Sequence, residues 1–388
     1  MIRSILDNDL YKFTMQQAVF QLYPGAVAEY RLTNRGKTAF PPEMARTVNE
    51  AVREMAGLRL SGGQRKWLAE TCPYLTPAYL DYLATYRFDP EEVTVTQDGG
   101  DLSVEVVGPW VSTILWEVPL MAITSETFFE LTRPETISRE AIRERNQAKA
   151  KRLAGQGVNF VDFGTRRRYS ADNHLHLIRD ILEIPGHSLT GTSNVHLAKE
   201  FDLAPIGTLA HEWIMFHGAV DGYASANVAA MDAWLNVYPN VLGIALTDTY
   251  TTDRFLQAFG KDLAERYTGV RQDSGDPLVF INRMIDHYRD LGIDPADKII
   301  VFSDGLDPER AVTIHGACGG KIKDAYGIGT NLTNDIGPDP LNIVIKLSRC
   351  KQSPEAAWQP TVKLSDDKGK HTGDRDELTH CLEALGLS

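Results

Sequence analysis

An imidazole next to a carboxylate can bind zinc or move protons, and "GTLAHEW" (207–213) sets His211 beside Glu212. A zinc-protease helix needs its second histidine four residues on, but position 215 is Met215 and His217 falls on another helical face. No other group of histidines and cysteines has ligand spacing, so no residue is assigned to a metal. A neutral histidine outside a metal site still serves as acid, base or nucleophile.

Other segments carry polar chemistry without completing a common signature. "VDFGTRRRYS" places Phe163, Gly164 and three arginines, Arg166 to Arg168, in one turn, and guanidinium forks suit carboxylates and phosphates. "GVRQDSGDP" combines Arg271, Asp273 and Ser274, a cation and acids able to hold phosphate, ribose hydroxyls or Mg²⁺. "ALTDTY" supplies Asp248, "VFSDGLD" Asp304 and Asp307, "GTSN" Thr192 and Ser193, and "YGIGTN" Gly329 and Thr330. Each has a plainer explanation: arginine runs coat solvated helices, and Asp-Gly-Pro turns cap them. A phosphate loop is absent, Leu332 replaces the third glycine of a dinucleotide fingerprint, and Val195 the last glycine of a nucleophile elbow.

The elements that must position these residues are seven short apolar runs between 155 and 345, each followed by helix-compatible sequence. The alternation predicts parallel β-α units, with the polar residues at the strands' carboxyl ends, where such folds keep their sites. Seven units in series favour an irregular β/α barrel. Residues 1–125 read as a second, α+β domain: "LYKFTMQQAVFQL" has helical spacing up to Pro24, and alternation about Asp98-Gly99-Gly100-Asp101 predicts a hairpin. A solvated connecting helix is expected over 126–154. The alternating tail, 346–388, is expected to join the N-terminal domain.

The 388 residues, 43 % hydrophobic and 24 % charged, are ordinary for a globular enzyme, and a net charge of -12 disfavours nucleic acid as a partner. Four dispersed cysteines suit reduced thiols in a cytoplasm. The apolar stretch 110–123, interrupted by Glu117, is too short for a bilayer, so no membrane is expected.

In order and spacing, "LDNDLYKFTMQQAVF", "FGTRRR", "GTSN", "GTLAHEW", "TDTY", "RQDSGDP", "FSDGLD", "GIGT" and "PLNIVIKL" resemble the bacterial nicotinate phosphoribosyltransferases over nearly the whole chain. The resemblance implies transfer of phosphoribose from 5-phosphoribosyl 1-pyrophosphate to nicotinate, giving nicotinate mononucleotide and pyrophosphate for NAD synthesis. It further implies coupling to ATP hydrolysis through a phosphohistidine at His211, an activity classed as a ligase, and Mg²⁺ at a position left open. Asp273 and Asp304 would act at the ribose, with Arg271 at the pyrophosphate and Asp248 nearby. Arg166 would take the nicotinate carboxylate, Phe163 and Tyr11 the ring, and Gly329 and Thr330 the ribose 5-phosphate. Tyr11 would be lent across a homodimer with shared sites. Thr192 and Ser193 would be neutral neighbours, without the acid with which nicotinamide-preferring relatives hold an amide. A nicotinamide- or quinolinate-specific transferase and a Mg²⁺-dependent phosphohydrolase are the rival readings.

Overall fold

The computed structural model describes residues 1–387, the side chain of Lys368 excepted. Two compact units divide the chain, Met1–Gly207 with Ile328–Lys346 and Thr208–Gly327 with Leu347–Ser388.

In the first unit the predicted N-terminal helix spans Leu10–Leu22 and stops two residues before Pro24. Its polar side chains are buried as well as its apolar ones, Lys12, Thr14, Gln16 and Gln17 among them. They are satisfied by long-range bonds: Gln16 Nε2 donates to the Val111 carbonyl at 2.7 Å and Gln17 Nε2 to that of Tyr74 at 2.9 Å. An antiparallel set follows, β1 (Val27–Asn34), β2 (Val93–Asp98) and β3 (Asp101–Pro109). The predicted hairpin joins β2 and β3 with Asp98 opposite Asp101, and Gly99 takes the positive φ of +55° its turn needs. The apolar stretch at 110–123 leads into the buried helix Glu117–Thr132. Among the described residues no helix is long and apolar enough to cross a membrane.

The charged stretch after Pro134 differs from the solvated connector expected of it. The helix begins at Arg139, where the Ser138 hydroxyl accepts from Ala141 N–H, and runs to Ala154. Ile142, Asn146, Ala150 and Leu153 form a buried stripe, and Arg139 pairs with Asp180 at 2.6 Å on the helix Ala171–Leu182. Composition showed the charge but not the narrow face that packs.

All seven predicted strand runs are strands. The first unit holds β4 (Phe160–Asp162), β5 (Leu189–Thr192) and β6 (Ala204–Pro205), parallel in the order β6-β5-β4. The second holds β7 (Ile244–Leu246), β8 (Gly269–Gln272), β9 (Ile299–Phe302) and β10 (Lys323–Ile328), parallel in the order β10-β9-β8-β7. Helices follow the strands, and their starts settle which acids are caps. Asp276 and Asp307, each before a proline, accept from the Leu278 and Arg310 amides at 2.8 Å. Asp248, Asp273 and Asp304 lie outside those caps and keep their carboxylates for other partners. The expected α/β class with an added antiparallel sheet is the class observed. In the tail, β11 (Ile343–Lys351) pairs antiparallel with β12 (Gln359–Pro360).

Candidate functional site

Each unit gathers its own polar cluster. In the second unit the centre is His211, the first residue of the helix His211–Asp221 and almost fully buried. Its Nδ1 lies 2.9 Å from Thr249 Oγ1, and its Nε2 is 2.8 Å from Lys363 Nζ and 3.1 Å from Asp273 Oδ2. An ammonium can only donate and a carboxylate only accept, so Nε2 accepts from Lys363 in one tautomer and donates to Asp273 in the other. Burial, with the Lys363 charge adding to it, pushes the imidazole down to about 4 against the pull of Asp248 and Asp273. The ring is neutral at physiological pH.

The neighbours come from the ends of β7, β8 and β9. Arg271 Nη2 donates to Asp273 Oδ1 at 2.9 Å and its Nε to Ser303 Oγ at 2.8 Å, while Ser303 donates to the same Asp273 oxygen at 2.6 Å. Burial works to raise the Asp273 carboxyl, but Arg271, His211 and Lys363 hold it well below the carboxylate range. Asp248 Oδ2 accepts from Ser274 at 2.7 Å and stands 3.3 Å from Lys363. Asp304, one strand further, is held by Lys370 at 2.7 Å and has no recorded contact with the imidazole.

Lys363 and Ser365 were not singled out in the sequence. They belong to the tail segment following β12, whose Leu364 amide donates to the Thr249 carbonyl at 2.8 Å. Ser365 has φ +65° and Thr251 φ +70°, left-handed values that non-glycine residues resist. Asp366 fastens the two turns together by accepting from Thr252 N–H at 2.8 Å and Thr252 Oγ1 at 2.6 Å. A single lysine in "PTVKLSDD" carries no sequence signal for this role.

His211, Asp248 and Asp273 also bring three potential ligand atoms within 4.8 Å of one another. Lys363 already sets a positive charge against the imidazole, which leaves the carboxylates to serve a cation. Asp248 Oδ1 is buried without a hydrogen-bond partner, and hard carboxylate oxygens fit Mg²⁺.

In the first unit the three consecutive arginines have three different environments. Arg168 is buried and bidentate to Asp7, at 2.7 and 2.9 Å, and burial's upward push on that acid is overcome so that it sits at about 2. Arg167 is lowered to about 10 by burial and by its neighbours Arg166 and Arg35. Arg166 remains part-exposed, its Nη1 3.6 Å from Glu117 Oε1. The preceding Gly164 cannot be replaced without movement, since a Cβ there would lie 2.1 Å from Thr333 Cγ2.

Thr192, expected among the substrate contacts, directs its hydroxyl at a buried acid. Its only donor goes to Asp162 Oδ2 at 2.7 Å, an acid that also contacts His174 Nε2 at 2.6 Å and accepts from Gly164 N at 2.9 Å. Ser193 donates to Asp9 Oδ1 at 2.8 Å. An acid therefore does stand beside Ser193, supplied by the N-terminal segment, and burial raises its carboxyl. Phe163 and Tyr11 are half-buried, a Cβ added to Gly329 would lie 3.3 Å from the Phe163 carbonyl oxygen, and Thr330 opens the short helix Thr330–Thr333.

Comparison with known proteins agrees with this arrangement. The nicotinate phosphoribosyltransferase (NAPRTase) family pattern matches residues 158–385, and that family's N-terminal domain matches residues 6–125. The chain is 55 % identical over 385 residues to a nicotinate phosphoribosyltransferase of Desulforapulum autotrophicum, covering 99 % of both chains. It is 46 % identical to one of Chromohalobacter salexigens, covering 100 % of this chain and 99 % of the other. The crystal structure of nicotinate phosphoribosyltransferase from Porphyromonas gingivalis superposes with a TM-score of 0.97 at 44 % identity, over 100 % of both chains. With both family patterns matched in order and relatives this similar along the whole length, the chain belongs to the nicotinate phosphoribosyltransferase family.

Proposed function

We propose that this enzyme joins nicotinate to 5-phosphoribosyl 1-pyrophosphate and drives the transfer with ATP through phosphorylation of His211. The pyridine nitrogen bonds to C1 of the ribose as the bond from C1 to the pyrophosphate oxygen breaks, and positive charge builds on the ring in between. Asp273 and Asp304 stabilise that charge, while Arg271 receives the leaving group. Gly329 and Thr330 hold the 5-phosphate, Phe163 and Tyr11 flank the pyridine, and Arg166 pairs with its carboxylate. His211 attacks the γ-phosphorus of ATP, ADP departs, and water later cleaves the phosphohistidine.

The observation that best supports the ATP half is the buried His211, lowered to about 4 so that one ring nitrogen keeps its lone pair, with Lys363 2.8 Å from Nε2. A nucleophile must keep that lone pair, and the ammonium is placed to meet incoming phosphate oxygens. Arg271 and Lys363 are balanced by Asp248 and Asp273, so a polyphosphate needs further positive charge. Asp248 and Asp273 would hold Mg²⁺, which neutralises phosphate oxygens when bound.

A homodimer, with Tyr11 completing the partner's site, and a cytoplasmic location complete the reading; four buried unpaired cysteines support the latter. Asp9 beside Ser193 keeps a carboxamide substrate in contention, since an acid can accept from an amide. Assays of nicotinate, nicotinamide and quinolinate, with and without ATP, test these readings. Nicotinate alone should give a mononucleotide, faster with ATP. Preference for nicotinamide, or release of phosphate from simple phosphate esters with no mononucleotide formed, would reject the proposal.

A further inference from the structure

Glu117 is a buried carboxylate that the reaction above does not use. It opens the helix Glu117–Thr132, and its side chain is 7 % exposed. Its two oxygens face different cations. Oε2 meets the fully buried Lys12 ammonium at 2.5 Å, whereas Oε1 faces Arg166 Nη1 at 3.6 Å. The short contact belongs to the lysine and the long one to the arginine. Arg166 retains 36 % side-chain exposure, so its guanidinium is ion-paired with Glu117 yet still within reach of solvent. Lys346 also acts on Glu117, and Asp9 feels the charge of Arg166, so the arginine lies in a field of fixed charges.

We propose that Glu117 is a positioning residue for acid-selective substrate recognition: it orients Arg166 toward the ring carboxylate, while Lys12 offsets the Glu117 charge so that the three groups together stay net positive. A carboxylate bound to Arg166 alone would form a closed pair with it, and the substrate would have to compete with that pair. Lys12 prevents this. The inference rests on Arg166 being the carboxylate ligand.

The test compares Glu117→Gln, the double variant Lys12→Met/Glu117→Gln, and Arg166→Ala in the full-length enzyme. The double variant removes both buried charges together, which keeps the core neutral if the single variant fails to fold. Each is assayed for KM of nicotinate and of 5-phosphoribosyl 1-pyrophosphate, and for inhibition by the uncharged analogue 3-acetylpyridine; thermal unfolding reports the fold. In folded Glu117 variants the nicotinate KM should rise about tenfold, with the donor KM and the inhibition constant within about twofold. Glu117→Asp should recover part of the loss. Equal weakening of nicotinate and the neutral analogue, or no change in either, overturns the role of Glu117. If Arg166→Ala leaves the nicotinate KM unchanged, the underlying assignment of Arg166 fails instead.

Discussion

Lys363 Nζ lies 2.8 Å from His211 Nε2, bringing together residues 152 positions apart. The contact sets a positive charge against the imidazole and joins a tail residue to a helix start that sequence proximity could not connect.

Replacing His211 with alanine should leave slow, ATP-independent formation of nicotinate mononucleotide and abolish its stimulation by ATP. The same variant should take up no acid-labile phosphate from γ-labelled ATP. Persistent stimulation would remove His211 from the ATP cycle.

The depressed His211 value fixes a pH signature. With the imidazole at about 4, ATP stimulation should stay level from roughly pH 8 to 6, without the inflection near 6.5 of an ordinary histidine. The native ring binds fewer protons than the unfolded one, so its stabilising contribution is complete above about pH 6.5 and is lost on acidification towards 4, by ~3 kcal/mol at most. Urea midpoints across that window should fall less steeply in His211→Asn.

Arg166→Ala should raise the nicotinate KM by about a hundredfold, the scale of an unpaired buried carboxylate at ~3 kcal/mol, with a smaller effect on the phosphoribosyl donor. Steady-state kinetics with each substrate varied separates the two. A parallel rise would give Arg166 a general structural role.

Arg168 lies two positions along but should behave differently. Asp7→Asn removes the bidentate charge partner of its buried guanidinium and should cost about 3–5 kcal/mol of stability. Denaturant unfolding measures this directly. A loss below about 1 kcal/mol would mean that Glu126, 3.9 Å from Arg168 Nε, suffices as its partner.

Strand–helix alternation was legible because short apolar runs bounded by polar turns persist through the chain, and all seven are strands. Local pattern also distinguished the hairpin at Gly99 and the end of the first helix at Pro24. The different roles of Arg166, Arg167 and Arg168 were hidden, because Asp7, Glu117 and Arg35 reach them only through folding. Asp9 beside Ser193, and Lys363 beside His211, were hidden for the same reason. The acids at caps and those in the cluster have the same residue type and similar local sequence; the hydrogen-bond partner alone tells them apart. The packed stripe on the helix Arg139–Ala154 was masked by its surplus of charge.

The tail's docking also has a consequence for biosynthesis. A growing chain makes β7 and β8, with Asp248 and Asp273, long before Lys363. Until that residue arrives, the acids beside His211 lack the ammonium that the tail supplies. The charge cluster around His211 is therefore complete only once the tail has reached its place.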